Sequence, residues 1–173
     1  VMLGLLLARS GIDVVVVEKH GDFLRDFRGD TIHPSTLDLI EQLGFIDEFL
    51  SLPHTRAPAL HAVIGGERVT IADFSRLPVR HRFIAFMPQW DFLNFLVGKA
   101  GQYENFRLLM NAPVTGLVER GGKVGGIRID TPHGEIEIED DLVVGADGRS
   151  SVVREAAGLE VQRFGVPTEV LWM

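Results

Sequence analysis

The stretch from Leu142 to Arg154, Leu-Val-Val-Gly-Ala-Asp-Gly-Arg-Ser-Ser-Val-Val-Arg, constrains the fold more than any other part of the chain. Its three apolar residues at 142–144 predict a short strand that is covered on both faces. The Asp-Gly pair at 147–148 predicts a tight turn, and Ser150 or Ser151 is suited to cap a following helix. The segment therefore indicates a strand, a turn and a helix start in direct succession.

The helix start is the chemically informative part of this segment. Its unpaired N–H groups and the positive end of its dipole favour either a phosphate or the carboxylate of Asp147. Dinucleotide cofactors bind at this kind of connection. An ordinary strand-to-helix connection, in which the Asp-Gly pair only turns the chain, is the alternative. The segment alone does not decide between them.

A second segment, near the N-terminus, favours the cofactor interpretation. Residues 12–18 predict a buried strand that ends on Glu18, after a helical run at 1–9 and a break at 10–11. In a βαβ unit, an acid at the tip of the second strand accepts hydrogen bonds from ribose hydroxyls. Gly4 fits as the small residue that lets the helix approach the sheet. We therefore predict that Glu18 binds a ribose, with a solvated acid at a strand end as the alternative, and that the chain begins just inside a phosphate loop.

Composition excludes several classes of function. The chain has 173 residues, a formal charge of −7 and a pI near 5.3, which argues against a nucleic-acid partner or an anionic membrane surface. The apolar run at 1–8 is too short to span a bilayer. The chain has no cysteine, and its six histidines show no metal-binding spacing. We expect a cytoplasmic protein without a metal site.

The rest of the chain alternates predicted helices and strands. Helical spacing of apolar residues predicts three further helices, at 34–43, 46–50 and 90–100. Period-two patterns and short apolar runs predict further strands or hairpins, at 59–74, 83–86, 106–110, 114–120, 124–130 and 135–138. The last three strands are joined by short glycine-containing turns and should form a meander. Residues 19–31 are predicted to be a loop over the end of the sheet.

Together these segments resemble the FAD-dependent aromatic hydroxylase family, the flavoprotein monooxygenases related to para-hydroxybenzoate hydroxylase. The resemblance covers nearly the whole chain. It is carried by the helix with Gly4, the strand ending at Glu18, Arg28-Gly29-Asp30, Pro88-Gln89, and Asp141 to Arg154. It implies an α/β fold, a doubly wound, Rossmann-like FAD-binding domain with a three-stranded β-meander crossover, lacking its first strand and its C-terminal part.

The resemblance also implies a division of the chain. Residues 1–173 would form part of the FAD-binding domain. Residues 53–87 would contribute a hairpin to the substrate-binding region, and 161–173 would start the substrate-binding sheet. The family's later Gly-Asp motif, which holds the ribityl chain of the flavin, does not occur here. The residues around the reactive flavin, and any catalytic residue, are therefore left unassigned.

On the adenosine side, the resemblance implies that Glu18 binds the ribose, that Lys19 borders the adenine and that the backbone of Val114 reaches it. For Lys19 a surface position is equally consistent with the sequence. The side chain of Val114 by itself indicates only a strand.

On the pyrophosphate and flavin side, the resemblance implies that Arg28 pairs with the pyrophosphate or ribityl chain and that Gln89 faces the cofactor from a helix start. Asp147 belongs to the family's second fingerprint, beside the pyrophosphate. The alternatives are a surface ion pair for Arg28, a helix cap for Gln89 and turn chemistry for Asp147.

In function, the resemblance implies an FAD-dependent monooxygenase that uses NADH or NADPH and O2 to hydroxylate a small aromatic substrate. A reductase or halogenase with the same cofactor is one alternative. A non-catalytic nucleotide-binding or association fragment is another, and an exposed sheet edge would then recruit a second copy of the chain.

Overall fold

The computed structural model describes residues 1–24, 30–162 and 164–165. The chain divides into two compact units. One contains residues 1–16 and 22–108, and the other contains residues 17–21 and 109–173. We describe each unit by itself.

Helices and short strands alternate along the chain. The helices of the described residues are α1 (Met2–Arg9), α2 (Pro34–Gln42), α3 (Ile46–Phe49), α4 (Gln89–Ala100) and α5 (Val152–Ala156). The strands are β1 (Val14–Val17), β2 (Thr31–Ile32), β3 (Thr55–Ala57), β4 (Ala59–Ile64), β5 (Glu67–Asp73), β6 (Ile84–Phe86), β7 (Phe106–Leu109), β8 (Val114–Arg120), β9 (Lys123–Thr131) and β10 (Gly134–Glu139). The fold is thus of mixed α/β type.

Two apolar clusters form the core of the first unit. One joins α2 and α3 to a three-stranded sheet of order β2-β6-β3, and it includes the fully buried Leu37 and Ile40. The other joins α1 to α4 through Leu5 and Leu96. Apolar residues at helical spacing therefore face the interior, as their periodicity predicts.

Helix α1 packs closely on the pair of strands β1 and β7. A Cβ atom added to Gly4 would lie 2.7 Å from Val16 Cγ2 and 3.1 Å from the Phe106 ring, so only glycine allows this approach. Val14 N donates to Asn105 O, 2.9 Å away, at the start of the strand pair. The close contact predicted for Gly4 is present.

The second unit is built around the predicted meander. Strands β8, β9 and β10 pair antiparallel in the order β10-β9-β8. Two glycines at 121–122, both with positive φ, turn the chain between β8 and β9. Each strand matches its predicted position to within one residue.

The structure differs from the sequence prediction at residues 142–144 and at two short strands. Residues 142–144 have no strand geometry, and the side chains of Leu142 and Val144 are 74% and 54% exposed. A strand requires a hydrogen-bonded neighbour, and no described strand pairs with this segment. The short strands β2 and β3 were not predicted, because two or three residues are too few to show a period. Most of the strand predicted at 161–173 lies outside the described residues.

Candidate functional site

Glu18 directly follows β1 and is held on both sides of its backbone. Its N–H donates to Leu109 O (2.8 Å), and its carbonyl accepts from Ala112 N (2.9 Å). One carboxylate oxygen, Oε1, accepts a hydrogen bond from His20 N, 3.0 Å away. The structure therefore fixes both the position and the orientation of the predicted ribose-binding acid at a strand end.

Lys19 and Val114 lie in the same compact unit as Glu18. Lys19 is exposed and adjoins Glu18 in the chain. Val114 is half-buried at the first position of β8, opposite Ile129 of β9. It comes two residues after Ala112, which binds the Glu18 carbonyl. The backbone of Glu18 is thus bound by Leu109 and Ala112, shortly before Val114 in the chain.

Asp147 organises the turn before α5. Its carboxylate accepts hydrogen bonds from the Ser151 hydroxyl and from Val153 N, the latter at 3.1 Å. Ser151 is the helix cap, since its Oγ accepts from Arg154 N (3.0 Å). Of the two serines predicted as caps, the structure selects Ser151. The Asp147 carboxylate thus lies at this helix start, as one of the two predicted alternatives requires.

The pKa of Asp147 responds to two opposing influences. Burial raises the pKa of the carboxyl, but hydrogen bonds from Ser151 and from backbone N–H groups outweigh it and hold the pKa below its usual value of 3.8. The ionised form is therefore favoured in the folded protein.

This shift predicts a pH dependence of folding. A depressed folded-state pKa contributes stability that is present above 3.8 and is lost as the pH falls through the lower folded value. The difference in unfolding free energy between the natural protein and Asp147→Asn should therefore shrink as the pH is lowered below 3.8. Urea titrations of both proteins between pH 6 and pH 3 would check this, and a difference that grew on acidification would contradict it.

A cavity of about 460 Å³ lies beside this turn. Its polar lining includes Asp141, Asp147 and Arg154, and its apolar lining includes Leu117 and Leu159. Gly145 also lines it, and a Cβ there would lie 2.8 Å from Val153 Cγ1. The glycine lets the turn pack closely on α5. Glu18, Lys19 and Val114 are not among the lining residues, so the structure does not place Asp147 and Glu18 in one cavity.

Gln89 lies in the other unit, at the first position of α4. Its backbone N–H donates to Asp30 Oδ1 (3.2 Å), and the Asp30 carbonyl accepts from Met87 N (3.0 Å). A carboxylate at this position also complements the positive end of the helix dipole. Asp30 is the contact that sequence reasoning missed, because the two partners are 59 residues apart in the chain. Arg28 lies outside the described residues.

The described residues contain no group of three or more His, Asp or Glu side chains that is arranged to hold a metal ion. None of their helices combines the length and apolar character that crossing a bilayer requires.

The described residues thus form a mixed α/β fold in which an acid, Glu18, directly follows β1. Comparison with known families identifies the kind of domain. Residues 1–173 match the family described as FAD binding domain, and the chain belongs to that family.

Individual relatives agree with this assignment. The chain is 31% identical over 171 residues to 6-methylpretetramide 4-monooxygenase of Streptomyces rimosus, covering 98% of this chain and 41% of the relative. It is 29% identical to rifampicin monooxygenase of Rhodococcus hoagii, covering 91% of this chain and 32% of the relative. The solved structure of OxyS anhydrotetracycline hydroxylase from Streptomyces rimosus is 28% identical, with a TM-score of 0.75 over 91% of this chain and 31% of that protein. The chain thus spans about a third to two fifths of these relatives.

Proposed function

We propose that this chain forms the adenosine side of the FAD site of a flavoprotein monooxygenase, on a doubly wound, Rossmann-like sheet. The observation that carries the proposal is Glu18, a carboxylate fixed at the end of β1 in a chain that matches an FAD binding domain along its whole length. Acids at this position of a βαβ unit accept hydrogen bonds from ribose hydroxyls.

The residues around Glu18 fit an adenosine. The His20 N–H orients the carboxylate through Oε1, so its direction is set before a ligand arrives. Lys19 is exposed beside it and would border the adenine, and the backbone of Val114 at the start of β8 would face the same group. Preorganisation of this kind lowers the entropic cost of binding.

The residues assigned to the pyrophosphate and flavin would each contribute to the FAD site in a different way. Asp147 is itself an anion, so its contribution would be to shape the turn and let the backbone near Gly145 and Gly148 approach the cofactor. Gln89, held by Asp30, would present its side chain from the start of α4. Arg28 would pair with the pyrophosphate or ribityl chain through its guanidinium.

When bound, FAD would supply the redox chemistry, with NADH or NADPH as the reductant and O2 as the oxidant for hydroxylation of an aromatic substrate. The hairpin of β4 and β5 carries exposed apolar side chains at Val63, Ile64 and Ile71. Such a surface is suited to contribute to the substrate-binding region proposed for residues 53–87. The sheet proposed to start at 161–173 would belong to the same region.

Activity measurements on the natural full-length protein test this proposal. We expect a yellow protein with a flavin spectrum that oxidises NADH or NADPH, takes up O2 and forms a hydroxylated product. Flavin reduction without hydroxylation would favour a reductase, and halide incorporation would favour a halogenase. A colourless protein that takes up no FAD would contradict the proposal and favour a non-catalytic module.

A further inference from the structure

Asn111 has an unusual backbone conformation beside the Glu18 segment. Asn111 has a φ of 53°, and it is the only non-glycine residue with a positive φ among the described residues. L residues other than glycine rarely adopt this left-handed backbone conformation, and asparagine tolerates it better than most. Asn111 lies between β7 and β8, and its side chain is exposed.

The conformation of Asn111 turns the chain so that successive backbone groups meet the Glu18 segment. Asn111 N donates to His20 O (3.0 Å), and Ala112 N donates to Glu18 O (2.9 Å). Leu109 O accepts from Glu18 N (2.8 Å) on the preceding side of the turn. Since His20 N also binds the Glu18 carboxylate, a shift of the turn would move the carboxylate as well.

The side chain of Asn111 extends this contact to the end of the segment. A Cβ added to Gly21 would lie 3.0 Å from Asn111 Oδ1 and 3.2 Å from Asn111 Nδ2. The amide therefore packs against the backbone of Gly21. Asn111 therefore contacts His20 and Gly21, the last two residues of the run 19–21 that follows Glu18.

We infer that Asn111 is a positioning residue for nucleotide binding, because its left-handed backbone conformation holds residues 18–21 as the adenosine ribose requires. This inference rests on the proposed function. Without that conformation, the segment would have to be ordered by the ligand, and binding would bear the entropic cost. Asn111 itself need not touch the cofactor.

Substitutions that differ in their tolerance of positive φ test this inference in the natural full-length protein. Asn111→Val should weaken FAD binding about tenfold, because a β-branched residue strongly disfavours this conformation. Asn111→Gly adopts it freely and should bind FAD within about twofold of the natural protein. Affinity for FMN, which has no adenosine, should stay within about twofold in both variants.

Gly121→Val is the matched control. Gly121 has a φ of 58° in the turn between β8 and β9, and a Cβ there meets no atom within 4 Å. This variant suffers the same kind of backbone strain and should lose thermal stability, yet keep its FAD affinity. If Asn111→Val does not fold, Asn111→Ala replaces it, with an expected weakening of about threefold.

The outcomes separate this inference from the proposed function. FAD affinity that is unchanged in Asn111→Val, lost equally in Asn111→Gly, or reduced equally in Gly121→Val would overturn the positioning role while leaving FAD binding intact. A natural protein that binds no FAD would overturn the proposed function, and the positioning role with it.

Discussion

Replacement of Glu18 by alanine should weaken FAD binding roughly 30-fold, which corresponds to about 2 kcal/mol for hydrogen bonds to a charged acceptor. The carboxylate is already fixed at a strand end by His20 N and by the backbone contacts of Glu18. Removing it would therefore remove preorganised acceptors, while the backbone hydrogen bonds of Glu18 to Leu109 and Ala112 would remain. Fluorescence titration of the apoprotein with FAD would measure the change.

Two comparisons make the Glu18 prediction specific. Glu119→Ala removes an exposed carboxylate from β8 in the same unit and should leave FAD affinity unchanged. FMN affinity should change little in Glu18→Ala, since FMN has no adenosine ribose. An equal loss of FAD and FMN affinity in Glu18→Ala would show that the residue supports the fold and not the ribose.

Gly126→Ala should destabilise the protein by about 3 kcal/mol, the largest stability effect that we expect from a single added methyl group. Gly126 is buried in β9 between β8 and β10 and has a φ of 154°. A Cβ there would lie 2.1 Å from Ile138 O, a backbone atom that cannot swing away. Thermal unfolding should shift downward by roughly 10 °C.

The neighbouring glycine provides the control for this prediction. A Cβ on Gly125 would meet only aliphatic atoms of Arg120, at 3.5 Å or more, and Gly125 has no positive φ. Gly125→Ala should therefore change the melting temperature by no more than about 3 °C. Similar melting temperatures for the two variants would mean that the register of β9 and β10 differs from the one described here.

The sequence predicted the elements with strong local signals. Apolar spacing located α4, and glycine turns at hairpin spacing located the meander. The strand prediction for residues 142–144 was wrong because an apolar run becomes a strand only beside a hydrogen-bonding neighbour. The presence of such a neighbour is a property of the whole sheet. Strand β2 was not predicted because its two residues carry no local strand signal, and it forms by pairing with β6.

In the candidate site, too, features with a local sequence signal were predictable and contacts between distant residues were not. The position of Glu18 at the end of β1 was predictable because an apolar run that ends on an acid is a local pattern. Ser151 was predictable as a cap for similar reasons. Asp30 and Asn111 were not, because the first acts on a helix start 59 residues away and the second acts through its backbone conformation. Contacts and dihedral angles of that kind leave little trace in a single sequence.

The central claim is that Glu18 binds the adenosine ribose of FAD, and a crystal structure of the FAD complex tests it most directly. We expect a carboxylate oxygen of Glu18 within about 2.5–3.0 Å of a ribose hydroxyl. An FAD molecule bound with its ribose away from Glu18 would contradict the claim.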